Sequence, residues 1–271
     1  MGKTLDILIL GCGYTGQRVA RRFLAMGARV TATTRDPQRL AGLGVEVIGT
    51  GDLVKHVRKG MLVLHSIPPG GPRELLDPLR SQARRLVYLS STTVYGAASI
   101  VNESTPVHEN SERARARLEA ERAIAEGPWS ALILRPAAIY GPGRGVQESI
   151  RRGMHSLSEK FVSRIHVDDL AAHVEAALLS TISGAYPVAD EEPSSSRDIA
   201  EFCASLLNVP VTNIGQKQAD PALRFAHNRR VDGSAIRRAL GITLTYPSYR
   251  VGIAAALSAE TALVGSRYQS S

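Results

Sequence analysis

The sequence predicts an α/β fold, a doubly wound parallel sheet carrying a smaller, mainly C-terminal lobe. Three observations predict it. Short β-branched runs alternate with helical patterns through the first half of the chain, the mark of βαβ units. Those runs are apolar without polar alternation, as strands buried on both faces are. The first of them runs straight into a glycine-rich turn, GCGYTGQRVARRF, that opens a helix.

The strand candidates are 5–10, 29–34, 45–49, 61–66, 85–90 and 131–135, with helical stretches near 16–26, 72–83 and 112–126 between them. VDDLAAHVEAALLS (167–180) reads as a helix with Asp168 as its N-cap. The serines of EEPSSS (191–196) are placed to cap the helix RDIAEFCASLL. A small-residue helix near 250–263 follows, then a polar tail, SRYQSS, expected to fray. The expected division is a dinucleotide-binding Rossmann domain over 1–143, with 164–190 returning to it, and a lobe from 144–163 and 191–271. At 271 residues, 44% hydrophobic and 21% charged, the chain has core material for both.

Lys+Arg 33 against Asp+Glu 25 gives a net charge of +8, which points to an anionic partner. The arginines, however, are scattered in pairs such as Arg21-Arg22, Arg84-Arg85 and Arg237-Arg238, with no polybasic run. Aromatics are only 5%, little material for stacking on single strands. A small-molecule substrate is therefore expected, not nucleic acid. Cys12 and Cys203 match no metal or redox spacing, which implies reduced thiols. The opening MGKTLDILILGCG is too short for a membrane span, is broken by Asp6 and lacks a cleavage pattern. No membrane association is expected, and a cytoplasmic location is.

The glycines have distinct tasks in a dinucleotide cradle. Gly11 allows the tight turn, Gly13 lets the backbone approach a pyrophosphate, and Gly16 lets the helix pack on the strand. The amides at the helix start, Tyr14 and Thr15 among them, then face the anion. After the second strand an NAD enzyme carries an acid for the ribose 2′-hydroxyl, whereas this chain has Thr34 and Arg35. A hydroxyl beside a guanidinium suits a 2′-phosphate, so NADP is expected over NAD. Asp36 supplies the acid only if the register slips; before Pro37 it shapes the turn. Asp52, after the third strand, is placed either to accept from the adenine amino group or to cap a helix.

Four ordered segments now stand together: the glycine loop, YLSSTTVYG (88–96), LRPAAIYGPG (134–143) and RIHVDDLA (164–171). Together they resemble the extended branch of the short-chain dehydrogenase/reductase family, the epimerase/dehydratase-like enzymes. GAYPVAD (184–190) and RRVDGSAIRRALG (229–241) extend the resemblance over nearly the whole chain. It adds Leu53, Ser66, Ile67, Ser90 and Pro136 to the residues expected around the cofactor, with His65 beside them. It also implies a homodimer as one possible assembly.

The family's chemistry uses a Ser or Thr after strand five and a YxxxK pair on the next helix. Its tyrosine exchanges a proton with the substrate oxygen while hydride moves to or from the nicotinamide. By resemblance Ser91 takes the hydroxyl position; the alternative is a strand-end hydroxyl bonding the backbone. In ENSERARARLEAER (109–122) the motif LEAE sets the register, so Arg117 falls on the lysine and Arg113 on the tyrosine. The chain is thus an atypical member lacking that tyrosine. Arginine does not lose its proton near neutrality. Arg117 is expected to hold the nicotinamide ribose and Arg113 an oxyanion, carboxylate or phosphate; the alternative for both is a solvated face with Arg115–Glu119 and Arg117–Glu121 pairs. Tyr95 and Tyr140 are the candidate replacement acids, with packing as the alternative for each. Arg135 is read as a strand-end anchor, and no metal is expected at His166, Asp168 and Asp169.

These features point to an NADP(H)-dependent oxidoreductase acting on a small polar or anionic substrate. Two other readings stay open. One is a non-catalytic NADP(H) sensor, motivated by the missing tyrosine; the other is an NAD-dependent nucleotide-sugar epimerase or dehydratase. The short segment 145–163 leaves little chain to clamp a bulky nucleotide-sugar.

Overall fold

The computed structural model describes residues 4–69, 73–155, 157–210 and 228–268. In chain order, β1 (Asp6–Leu10) leads into α1 (Tyr14–Ala25), followed by β2 (Arg29–Thr33), β3 (Glu46–Ile48), α2 (Leu53–His56), β4 (Met61–His65) and β5 (Ala83–Leu89). Next come β6 (Ile100–Val101), α3 (Glu112–Ala125), β7 (Ser130–Pro136), β8 (Ala138–Tyr140) and α4 (Val146–Arg151). β9 (Phe161–Val162), β10 (Arg164–His166), α5 (Val167–Leu179), β11 (Gly184–Val188), β12 (Ser194–Ser195) and α6 (Ser196–Leu207) follow. β13 (Arg230–Val231), α7 (Ser234–Leu240) and α8 (Tyr249–Tyr268) end the described chain.

Seven strands form one sheet in the order β11-β7-β5-β4-β1-β2-β3, and every pair in it is parallel. The chain leaves β1 toward β2 and β3, then crosses back to β4, so the order reverses between β1 and β4. In doubly wound sheets the crevice at such a reversal, beyond the carboxyl ends of the strands, is where ligands bind. One face of the sheet is covered by Val19, Ala20 and Phe23 of α1 with Leu170, Val174 and Leu178 of α5. On the other face, Ile124 of α3 and Leu75, Leu76 and Leu79 pack on Leu8, Val63, Leu86 and Ile133.

The six expected strands fall within a residue or two of the observed ones, the ordinary scatter of element ends. Two expectations need correction. The stretch 72–83 forms a 3-10 segment, Arg73–Leu79, with Pro78 inside it; proline lacks the amide an α-helix needs there. The N-cap of α5 is His166, whose side chain accepts from the Asp168 amide, while Asp168 itself is ion-paired to Arg18 at 2.9 Å. The cap of α6 is the expected serine: Ser195 and Asp198 form a reciprocal capping box. The last helix continues to Tyr268, so half of the tail expected to fray is helical, and 269–271 lie outside the described residues.

The lobe is built from α4, α6 and α8 around Tyr140, Ile150, Ile199, Cys203, Tyr249 and Ile253. Residues 191–271 do not all belong to it. Ile236 of α7 lies in the core beneath the sheet, and Thr245 and Tyr246 donate their amides to the buried Asp169 carboxylate at 2.8 and 2.9 Å. Among the described residues no helix is long and apolar enough to cross a membrane.

Burial leaves a signature in acid. It holds His65, His166 and His173 at about 4, well under the usual histidine value, and lowers His155 as well. Asp190, pushed up to about 8 by burial, and Asp169, also raised by burial, act in the opposite sense. Between about pH 6.5 and 4 the unfolded chain takes up protons on these histidines that the folded chain refuses, so stability is present above that window and lost on acidification through it. Four histidines outnumber two aspartates. The thermal midpoint is expected to fall steadily as pH is lowered from 7 to about 4.5, as calorimetry would show; a midpoint that rises over this range contradicts the assignment.

Candidate active site

The cradle begins where β1 ends. Gly11 has φ +81°, a conformation that favours glycine, and a Cβ there would lie 2.9 Å from Ile67. Its amide donates to Thr33 Oγ1 at 3.0 Å, and the Cys12 amide donates to the Thr33 carbonyl at 2.7 Å. Gly16 sits so close to the strand that a Cβ would lie 3.2 Å from Ile9 Cγ2. At Gly13 nothing but the Gly11 carbonyl, at 4.0 Å, borders the Cβ position. The first-turn amides of Tyr14, Thr15 and Gly16 have no intrahelical acceptor. These features fit a pyrophosphate: an open approach at Gly13 and free amides at a helix start. Cys12 is buried, and burial raises its thiol to about 11, so it fills space and is no thiolate.

Tyr14 has a role the sequence did not show. Its hydroxyl donates to the Pro142 carbonyl at 3.0 Å, and its ring carries Arg18 at 4.1 Å and Arg144 at 5.3 Å. The glycine loop is thereby tied to the GPG turn after β8, which makes one wall of the crevice.

At the end of β2 the Thr34 hydroxyl accepts from the Asp36 amide at 3.1 Å. The Asp36 carboxylate is paired with Arg39 at 2.8 Å, while Arg35 is exposed and has no polar partner among the described residues. Asp52 is paired with Lys55 at 2.8 Å and lies at the start of α2 without a side-chain cap bond; the Leu53 side chain is buried in the core. Ser66 donates to the Gly11 carbonyl at 2.6 Å and braces the loop. Ile67 covers Gly11, and Pro136 ends β7.

At the carboxyl end of β5, Ser91 caps the short 3-10 turn Thr92–Tyr95, its hydroxyl accepting from the Thr93 amide at 3.2 Å. That oxygen is half-exposed and still has its proton to donate. Ser90, by contrast, is buried and donates to Glu121 at 2.5 Å. Glu121 is clasped by Arg135, Nε to Oε1 at 3.1 Å and Nη2 to Oε2 at 2.6 Å, and Arg135 Nη1 reaches the Tyr95 oxygen at 3.2 Å. Tyr95 is 0% exposed. Tyr140 is buried too and donates to the Ser248 carbonyl at 3.2 Å. Burial raises both hydroxyls. Neither tyrosine presents an acid to the crevice, because each packs in the core; the proton-donor assignment of Tyr95 is therefore corrected to a structural one. Arg135 is the anchor it was expected to be.

Arg113 and Arg117 lie on the first turns of α3, Arg113 exposed and Arg117 half-buried. The Arg117–Glu121 pair of the alternative, solvated-face reading does not form, since Glu121 belongs to Arg135. Neither Arg113 nor Arg117 has an ion-pair partner among the described residues. Arg117 lies beside the hydroxyl of the wholly buried Tyr88, which burial raises and the guanidinium lowers, yet that oxygen has no well-formed hydrogen bond among the described residues. Ser91, Arg117 and the end of β5 are thus brought to one place. Sequence reasoning missed Glu121 as the residue that assembles it; a single carboxylate on a helix rich in charge gave no signal.

A glycine cradle at a strand-order reversal, with a hydroxyl at the end of β5 and a guanidinium beside that strand, fits a dinucleotide-dependent enzyme site. Comparison with known proteins names the class. The model of the NAD dependent epimerase/dehydratase family matches residues 59–186, and the chain belongs to that family. It is 25% identical over 303 residues to a Streptomyces sp protein described as 3-diazoavenalumate denitrifying reductase, covering 92% of this chain and 99% of that one. A functionally unknown conserved protein from Silicibacter pomeroyi DSS is 30% identical with a TM-score of 0.81, over 94% of this chain and 99% of that one. UDP-glucuronic acid 4-epimerase from Bacillus cereus, in complex with UDP-glucuronic acid and NAD, shares the fold at a TM-score of 0.76 and 17% identity, over 96% and 100% of the two chains. The protein is an NAD(P)-dependent enzyme of oxidoreductase or epimerase-like type.

The Glu121–Arg135 clasp generates a stability test. Both side chains are at most 10% exposed, so Glu121→Ala strands a buried guanidinium and is expected to cost about 3–5 kcal/mol in denaturant unfolding. Glu121→Leu combined with Arg135→Met is expected to recover most of that loss. Equal losses in the single and double variants would show that the clasp is not what holds α3.

Proposed function

We propose that the protein is an NADP(H)-dependent reductase of a small polar or anionic substrate. The observation that carries the reading is the distribution of charge along the crevice. Among the described residues the guanidinium groups of Arg35 after β2 and Arg113 on α3 have no ion-pair partner, while the nearby carboxylates of Asp36 and Glu121 are each taken by another arginine. An acid that would repel a 2′-phosphate is thus turned away, and a cation that would bind it is free. The relative described as a reductase supports reduction as the direction. Ser91 polarises the reacting group, Arg117 holds the nicotinamide ribose, and Arg113 holds negative charge on the substrate or on its reduced oxygen. The cofactor, when bound, supplies hydride.

The missing tyrosine favours a second reading, a sensor that binds NADP(H) without turning it over. The two separate cleanly, because a sensor leaves NADPH unoxidised against every acceptor offered. An epimerase would instead retain NAD through turnover.

Titration of the purified chain with both reduced coenzymes tests the reading. NADPH is expected to bind more tightly than NADH. Arg35→Ala is expected to weaken NADPH by about 10-fold or more, the worth of a charge-assisted hydrogen bond, with NADH little changed. Tighter binding of NADH to the unaltered protein would overturn the NADP assignment.

A further inference from the structure

A hydride acceptor with an isolated carbonyl becomes an alkoxide, whose conjugate acid is roughly as weak as water. Such a reaction needs a proton delivered as the hydride arrives, the task of the family's tyrosine. Here Arg113 stands in that place, and arginine does not give up its proton near neutrality. The tyrosines, the buried carboxylate and the buried histidine described nearby offer no substitute; Ser91 keeps a hydroxyl proton for polarising the oxygen, and the exposed His108 on the neighbouring loop is put to the test below. Tyr88, Tyr95 and Tyr140 are at most 2% exposed, the last two with oxygens held by Arg135 and by the Ser248 carbonyl. Ser90 gives its proton to Glu121, and Glu121 is clasped by Arg135. His65 is stacked edge-on against Tyr88 at 5.2 Å and kept neutral by burial. What the start of α3 does present is fixed positive charge, on Arg113 and Arg117 one turn apart, with no carboxylate paired to either among the described residues.

Resting on the reductase reading above, we propose that the substrate is a quinone-type acceptor whose reduced oxygen is held as a phenolate by Arg113 and Arg117, with no side chain acting as acid. The electrons and atoms balance without one. The hydride brings two electrons and one hydrogen, the nicotinamide is oxidised, one quinone oxygen ends with that hydrogen and the other with the negative charge. Water protonates it after release. A phenol ionises with a pKa of about 10, and a cation within about 4–6 Å lowers that by about 1–3. The phenolate is therefore a stable product at this site, where an alkoxide is not.

The test uses the full chain with NADPH and three probes: 2-methyl-1,4-naphthoquinone, benzaldehyde and cyclohexanone. The quinone is expected to be reduced at least about 100-fold faster than either simple carbonyl, the usual worth of a missing general acid. Arg113→Ala is expected to slow it about 10-fold or more. His108→Ala, which removes an exposed imidazole in the loop ahead of α3, is expected to change nothing. A second measurement needs no turnover: titration of 4-nitrophenol, whose anion absorbs in the visible, against the protein without coenzyme. Binding is expected to lower its apparent pKa by about 1, and Arg113→Ala with Arg117→Ala to abolish the shift. Benzaldehyde turned over as fast as the quinone, a loss of activity in His108→Ala, or an unshifted 4-nitrophenol each overturns the proposal while leaving the reductase reading intact. Failure to bind NADPH overturns that reading instead, and the 4-nitrophenol shift still decides whether the anion site exists.

Discussion

The ion pair between Glu121 and Arg135 is the interaction on which the rest of the site depends. It joins three elements: α3 through Glu121, β7 through Arg135, and the end of β5 through the Ser90 hydroxyl. The same guanidinium holds the Tyr95 oxygen, so the turn that begins at Ser91 is fastened from beneath. Burying two charges is costly, and such a pair is seldom worth more than apolar packing of the same volume. What it supplies here is placement. With both oxygens of Glu121 occupied, the helix is held in a single rotation against the sheet, and Arg117 faces β5 without the partner one turn away that an isolated helix would give it.

A second clamp fixes the other side of the Ser91 turn. Arg229 is 6% exposed and its guanidinium donates to the Thr92, Gly96 and Ala98 carbonyls. Its own amide donates to the Phe161 carbonyl, and the next residues pair with β6 and bond Ser163. The Ser91 turn is thus bound to the lobe by one side chain and to the sheet by another. A half-exposed serine at a strand end would otherwise sample several positions. Between these two clamps its backbone has one.

Much of the fold was legible in the sequence because it depends on short-range pattern. Runs of apolar residues gave the strands, the glycine spacing gave the turn at Gly11 and the contact at Gly16, and the serines before α6 gave its cap. The expected helix at 72–83 failed on Pro78, a local rule outweighed by a convincing apolar pattern. Asp168 was misplaced as a cap because its competitor is tertiary: Arg18 reaches it from another helix, and His166 takes over the amide. The site was less legible for the same reason. Tyr95 and Tyr140 sit in motifs beside the crevice, but whether a ring turns inward is decided by Arg135 and by the Ser248 carbonyl, which are 40 and 108 residues away in the chain. Spacing brings a residue to a place and does not say which way it faces.

The same consideration changes the meaning of the net charge. Arg85, Arg164 and Arg229 are all less than a tenth exposed, and none has a carboxylate within ion-pair distance among the described residues. Arg85 spends its donors on the Ala177 and Ile182 carbonyls and on Ser130 and Ser180. Arg164 donates to the Val162 carbonyl, and Arg229 to the three carbonyls of the Ser91 turn. A guanidinium suits this use better than an ammonium, because its planar fork meets several acceptors at once and it is more weakly hydrated, so burial costs less. Burial lowers the pKa of each, but Arg164, at about 10, still carries its proton at neutral pH. Part of the excess of +8 is therefore internal scaffolding, and the formal charge overstates how positive the surface is. The arginines that can meet a ligand are those left at the surface, Arg35 after β2 and Arg113 on α3 among them.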